Sequence, residues 1–72
     1  MPKLPALTSR EVIRALEKAG FSQTRQRGSH VRLKKGHLSV TVPMHPGDLS
    51  QTVLHSILRQ AHLTPEEFLK LL

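Results

Sequence analysis

The stretch His30-Val31-Arg32-Leu33-Lys34-Lys35-Gly36-His37-Leu38-Ser39-Val40-Thr41-Val42-Pro43 decides the fold. Val31 and Leu33 alternate with His30, Arg32 and Lys34, and Leu38, Val40 and Val42 alternate with Ser39 and Thr41. A period of two marks a strand with one buried face and one wet face. Lys35-Gly36-His37 reads as the turn between them, and Pro43, which has no amide to donate, ends the second strand. Two antiparallel strands are therefore expected over 30–34 and 38–42, with His30, Arg32 and Lys34 facing away from the core. Upstream, 21–26 is only weakly apolar, and its residues alone leave a first strand open.

Helices flank these strands. Thr8 and Glu11 stand at capping-box spacing, and Val12, Ile13, Leu16 and Ala19 recur on one face, which predicts a helix over 9–19. Gly20 can take the left-handed conformation that closes a helix, with Phe21 supplying the accompanying apolar contact. Pro46 and Gly47 mark a loop, after which Asp48 or Ser50 caps a second helix reaching residue 61. Leu49, Val53, Leu54, Ile57, Leu58 and Ala61 form its apolar stripe, broad enough to cover a sheet. Thr64, Pro65 and Glu67, followed by the apolar residues Phe68, Leu69, Leu71 and Leu72, then start a short helix over 65–71. The order predicts an α+β domain spanning 1–72, with helices on one face of an antiparallel sheet.

Composition narrows the chemistry. The 72 residues carry eleven Lys and Arg against five Asp and Glu, a formal charge of +6, and no cysteine. Disulfides, thiolate zinc sites and cysteine nucleophiles are thereby excluded. No apolar run approaches the ~20 residues of a membrane span, and the start lacks the apolar centre of a signal peptide, so a cytoplasmic protein is expected. Charge is concentrated in the first half, where Lys3, Arg10, Arg14, Lys18, Arg25, Arg27, Arg32, Lys34 and Lys35 face only Glu11 and Glu17. Between Arg25 and Lys35 five cations stand without an anion, a local attraction for phosphate. A solvated basic surface with no partner would carry the same composition.

The acids Glu11, Glu17, Asp48, Glu66 and Glu67 form no obvious metal-binding pair, and His55 and His62 lack a local third ligand, so neither metal nor cofactor is expected. Histidine remains as the side chain that titrates near neutrality. His30 stands out among the five because it follows Gly28-Ser29 and lies between Arg27 and Arg32. On a nucleic acid without a metal, the available nucleophile is the 2′-hydroxyl of RNA, with histidine moving its proton and cations holding the charge on phosphorus. With two Phe and no Tyr or Trp, the chain cannot build a base-stacking platform, so RNA shape or backbone is the better target.

Leu16-Glu17-Lys18-Ala19-Gly20-Phe21, Arg25-Gln26-Arg27-Gly28-Ser29-His30, Val42-Pro43-Met44-His45 and Ser56-Ile57-Leu58-Arg59-Gln60-Ala61 occur in this order. Together they resemble the HicA toxin family of bacterial toxin–antitoxin pairs, from about Thr8 to Phe68. Val31-Arg32-Leu33 and the segment 46–51 depart from the family pattern. The resemblance implies a double-stranded-RNA-binding-like α-β-β-β-α fold, and so a first strand at 21–26. It implies a metal-independent endoribonuclease that cleaves mRNA and inhibits translation, with a HicB-type antitoxin as partner and operator DNA met only through that antitoxin. His30 falls on the family's catalytic histidine, Gly28 and Ser29 on its loop, and His45 on a second site position. Arg25, Arg27, Arg32, Lys34 and Lys35 are the expected RNA-binding cations. Two other readings remain open from the residues: a catalytically silent RNA- or DNA-binding module, and a basic subunit docking an acidic protein.

Overall fold

In the computed structural model, which describes residues 3–72, the chain runs α1 (Ser9–Lys18), β1 (Ser22–Arg27), β2 (His30–Lys35), β3 (Leu38–Pro43), α2 (Gln51–Ala61) and α3 (Pro65–Leu69). Residues 1 and 2, counted in the expected domain, lie outside the described residues. The strands form one antiparallel sheet in the order β1-β2-β3, with β2 central. Val31, Leu33, Val40 and Val42 are buried on one face, and α1 and α2 cover it. The α+β arrangement expected from the order of elements is the one observed.

Local chemistry sets the helix ends. Both capping boxes form: Thr8 and Glu11 exchange hydrogen bonds at α1, and Thr64 and Glu67 do so at α3. Ser50, not Asp48, caps α2 and accepts from the Val53 amide at 3.2 Å. At the far end of α1, the Gly20 amide donates to Glu17 and the Phe21 amide to Leu16, with Gly20 at φ +105°. This is the glycine-terminated helix stop with its apolar follower. The same pattern closes α2, where the Leu63 amide donates to Leu58, but the left-handed residue there is His62 at φ 57°. α3 ends at Leu69 rather than 71, α1 at Lys18 rather than 19, and the strands run to Arg27, Lys35 and Pro43.

The two hairpins are both two-residue turns with glycine first. Arg27 pairs with His30 across Gly28-Ser29, and Lys35 pairs with Leu38 across Gly36-His37. Gly28 at φ +58° and Gly36 at φ +59° are the only left-handed residues in these turns, as a type II′ geometry requires.

The first strand solves a conflict of parity. Phe21, Arg25 and Arg27 would share one face of a regular strand, yet Phe21 is buried and both arginines are exposed. The register slips between Gln23 and Arg25, leaving Thr24 as an extra residue, and the Thr24 hydroxyl donates to the Arg32 carbonyl at 3.4 Å. Such a bulge reverses the alternation, so Phe21 turns inward while Arg25 and Arg27 turn out. The expected span of 21–26 therefore shifts to Ser22–Arg27.

Leu4 and Leu7 also enter the core, which the sequence reading did not anticipate. Gln51 holds Leu4 by two hydrogen bonds, 3.0 Å from the Leu4 amide and 2.8 Å to its carbonyl, and Leu7 accepts from the Leu49 amide at 2.8 Å. Phe68 is buried, whereas Leu69 and Leu72 are 40% and 48% exposed.

Two outcomes follow for stability. His62→Gly removes side-chain strain at a left-handed position and is expected to stabilise by about 0.5–1 kcal/mol, a rise of several degrees in Tm. A lower Tm would mean that the His62 side chain contributes something its geometry does not reveal. The Glu11 and Glu67 carboxyls are held below the usual glutamate pKa, chiefly by the backbone amides of Thr8 and Thr64 and next by their hydroxyls. Their stabilising effect is present above the ordinary value and is lost as pH falls through the lowered one. Tm should thus fall less steeply on acidification from neutrality in the Glu11→Gln, Glu67→Gln double variant than in the native chain, and parallel curves would contradict the assignment.

Candidate nucleic-acid interface

Antiparallel register sets which side chains meet on the open face of the sheet. Arg25, Arg32 and Thr41 lie in one cross-strand row, and Arg27, His30 and Pro43 in the next. Residues directly opposite one another point to the same face, so the rows bring three guanidinium groups and one imidazole together. They line an open cleft of about 310 Å³ formed by Arg25, Arg27, His30, Arg32 and Thr41. No carboxylate lines it. Like charges set side by side repel, so the cleft is primed for an anion to bridge them.

The turn beneath the cleft is shaped by backbone rather than by space. A Cβ on Gly28 would meet nothing within 4 Å, so the demand for glycine comes from φ +58° alone. The Ser29 carbonyl accepts from the Met44 amide, which extends the β2–β3 pairing past Pro43. Ser9, buried at 3% exposure, donates from its hydroxyl to the Pro43 carbonyl at 2.7 Å. The start of α1 is therefore fastened to the strand end that faces His30, an anchor the sequence reading missed.

The expected site residues do not all meet in one place. Arg25, Arg27, His30 and Arg32 are gathered in the cleft. Gly28 and Ser29 form the adjoining turn, and Lys34 shares the open face, opposite Ser22 and Ser39, without lining the cleft. Lys35 is placed elsewhere: its ammonium donates to the Ala19 carbonyl at 2.6 Å and stands 5.9 Å from the Phe21 ring centroid. It completes the end of α1, where a cation meets unpaired carbonyls and the negative end of the helix dipole. His45 lines a separate hollow at the same end of the sheet, its Nδ1 3.0 Å from the Pro46 carbonyl oxygen.

Thr41 was not expected in the cleft. Its polar type signalled only an outward position, and the register with Arg32 places it there. Its amide, on the outer edge of the sheet, donates to Gln60 at 3.0 Å, so α2 steadies this strand. Among the described residues no three His, Asp or Glu side chains gather as metal ligands would. No helix among them is long and apolar enough to cross a membrane.

Lys35→Met should lower Tm by a few degrees and advance elution from phosphocellulose only slightly, because its ammonium serves Ala19 away from the cleft. Arg32→Met should advance elution and leave Tm unchanged. Equal elution shifts for the two variants would contradict this division.

Comparison with known proteins adds one finding. The model of the family described as the HicA toxin of bacterial toxin–antitoxin systems matches residues 9–63 of the 72. That span runs from the first residue of α1 past the end of α2, and it includes every residue of the cleft. No curated protein matches the chain.

Proposed function

The chain belongs to the HicA toxin family and is thus the toxin of a toxin–antitoxin pair, with a cognate antitoxin as partner; from that premise we propose that it is a metal-independent endoribonuclease. Its substrate is mRNA, and cleavage inhibits translation. The observation that supports this reading is the grouping of His30 with Arg25, Arg27 and Arg32 in one cleft without a carboxylate.

The residues divide the work by chemistry. A phosphodiester of the RNA backbone sits among the three guanidinium groups, which are permanently charged and present forked donors to phosphate oxygens. The Thr41 hydroxyl supplies a further donor. His30 accepts the proton of the neighbouring 2′-hydroxyl as that oxygen attacks phosphorus. Negative charge builds on the non-bridging oxygens, where the arginines stabilise it, and the 5′-oxygen leaves with a proton from water or from the imidazolium. The products are a 2′,3′-cyclic phosphate and a 5′-hydroxyl. One histidine lines the cleft, so acid and base are not paired across the scissile bond, and turnover is modest. A HicB-type antitoxin would silence this chemistry by covering the cleft, and operator DNA would be reached through the antitoxin. The workplace is the cytoplasm, where mRNA is available.

Purified, antitoxin-free protein should cleave a long RNA in EDTA, and His30→Ala should abolish cleavage while retaining RNA affinity. Proton transfer by a positioned base contributes roughly 10²–10⁴-fold, so the loss is expected in that range. Intact RNA after incubation with folded native protein would instead favour a silent RNA-binding module.

A further inference from the structure

We propose that the hollow holding Arg10 and His45 is a second phosphate subsite, which engages the same RNA strand a few nucleotides from the His30 cleft. This rests on the RNase reading and extends it to residues outside the cleft. The hollow, about 310 Å³, is lined by Arg10 and His45 with Thr8, Met44 and Gly47 among its walls. It carries cationic and polar side chains and no carboxylate.

Its position is coupled to the cleft by backbone. Pro43 pairs with His30, Met44 donates to Ser29, and Ser9, the neighbour of Arg10, holds the Pro43 carbonyl. His45 lies two residues beyond Pro43, a chain reach of at most ~7 Å, and paired Cα atoms lie ~5 Å apart. His30 and His45 are therefore near enough for one short run of nucleotides to touch both. The fastening at Ser9 and Met44 also keeps the two subsites in fixed relation, so the strand needs no ordering of the protein to span them.

The donors suit a phosphate. The Pro46 carbonyl can only accept, so its contact with His45 calls for a proton on Nδ1 and leaves Nε2 for a ligand. In the imidazolium form Nδ1 serves Pro46 and Nε2 donates to a phosphate oxygen, while the Arg10 fork supplies the remaining donors. The Thr8 hydroxyl and the Glu11 carboxylate are already engaged with each other at the helix start, so the subsite relies on Arg10 and His45 side chains.

A 2′-O-methyl RNA oligonucleotide, which binds without being cleaved, separates this proposal from the catalytic one. Its affinity is measured against salt for the native chain, Arg10→Gln, His45→Gln and, as a charge-matched control distant in sequence, Lys70→Gln. Arg10→Gln should weaken binding roughly three- to tenfold at low salt and reduce the slope of log K against log salt by about 0.7, the share of one phosphate. His45→Gln should weaken binding in the same direction, and Lys70→Gln should leave the slope unchanged. Melting curves for the four proteins separate lost contacts from lost fold. Native slopes in both Arg10→Gln and His45→Gln would overturn the subsite while leaving cleavage at His30 standing. A native chain that neither binds nor cleaves RNA would overturn both.

Discussion

Thr24 is the residue on which the geometry of the sheet depends. A strand alternates its side chains strictly, and Phe21 lies an even number of residues from Arg25 and Arg27. Without an extra residue, either a phenylalanine would be driven into water or two guanidinium groups into the core. Burial of an unpaired charge costs far more than exposure of an aromatic ring, so the regular strand would lose Phe21. The bulge admits both demands. Its placement on an edge strand is where such irregularity disturbs the fewest ladder bonds.

From that strand the organisation of the protein follows in two directions. Inward, Phe21 closes α1 and joins a core in which Val12, Leu16, Leu33, Val40, Leu54, Ile57 and Phe68 are fully buried. A chain of this size buries only about 60% of its unfolded surface, and the docking of Leu4 by Gln51 and of Leu7 by the Leu49 amide enlarges a thin core. Outward, the arginines of β1 meet Arg32, His30 and Thr41 across the ladder. β1 is exposed throughout, so its contribution is less to the core than to the charge of the open face. The core thus takes Phe21, just ahead of β1, while the site takes the arginines of the strand itself.

Much of this was legible in the residues because it is local. The period-two runs of β2 and β3, the Thr-x-x-Glu boxes of α1 and α3, and the Gly20-Phe21 stop each act within a few residues. β-alternation made His30 and Arg32 legible on one face, whereas Arg25 and Arg27 stood out only as members of the cation block and reach the cleft through the bulged register of β1. What escaped depends on distant contacts. Lys35 belongs to the end of α1 because Ala19 lies beside it in space, although its neighbours in sequence are cations. Thr41 enters the cleft through the register with Arg32, and Leu4 enters the core through Gln51, 47 residues away. Ser50 rather than Asp48 is the cap because α2 begins at Gln51, while Asp48 pairs with Thr8 in a β-bridge.

The chemistry assigned to the cleft is tested most directly by the ends it leaves on RNA. Mass spectrometry of fragments from a defined RNA, with a matched strand carrying 2′-deoxy at the cleaved nucleotide, reads the nucleophile itself. Attack by the 2′-hydroxyl requires 2′,3′-cyclic phosphate and 5′-hydroxyl ends and no cleavage at the deoxy position. Fragments ending in 3′-hydroxyl and 5′-phosphate, or cutting at the deoxy nucleotide, would show water as the nucleophile and contradict a metal-free centre built on His30 and its three arginines.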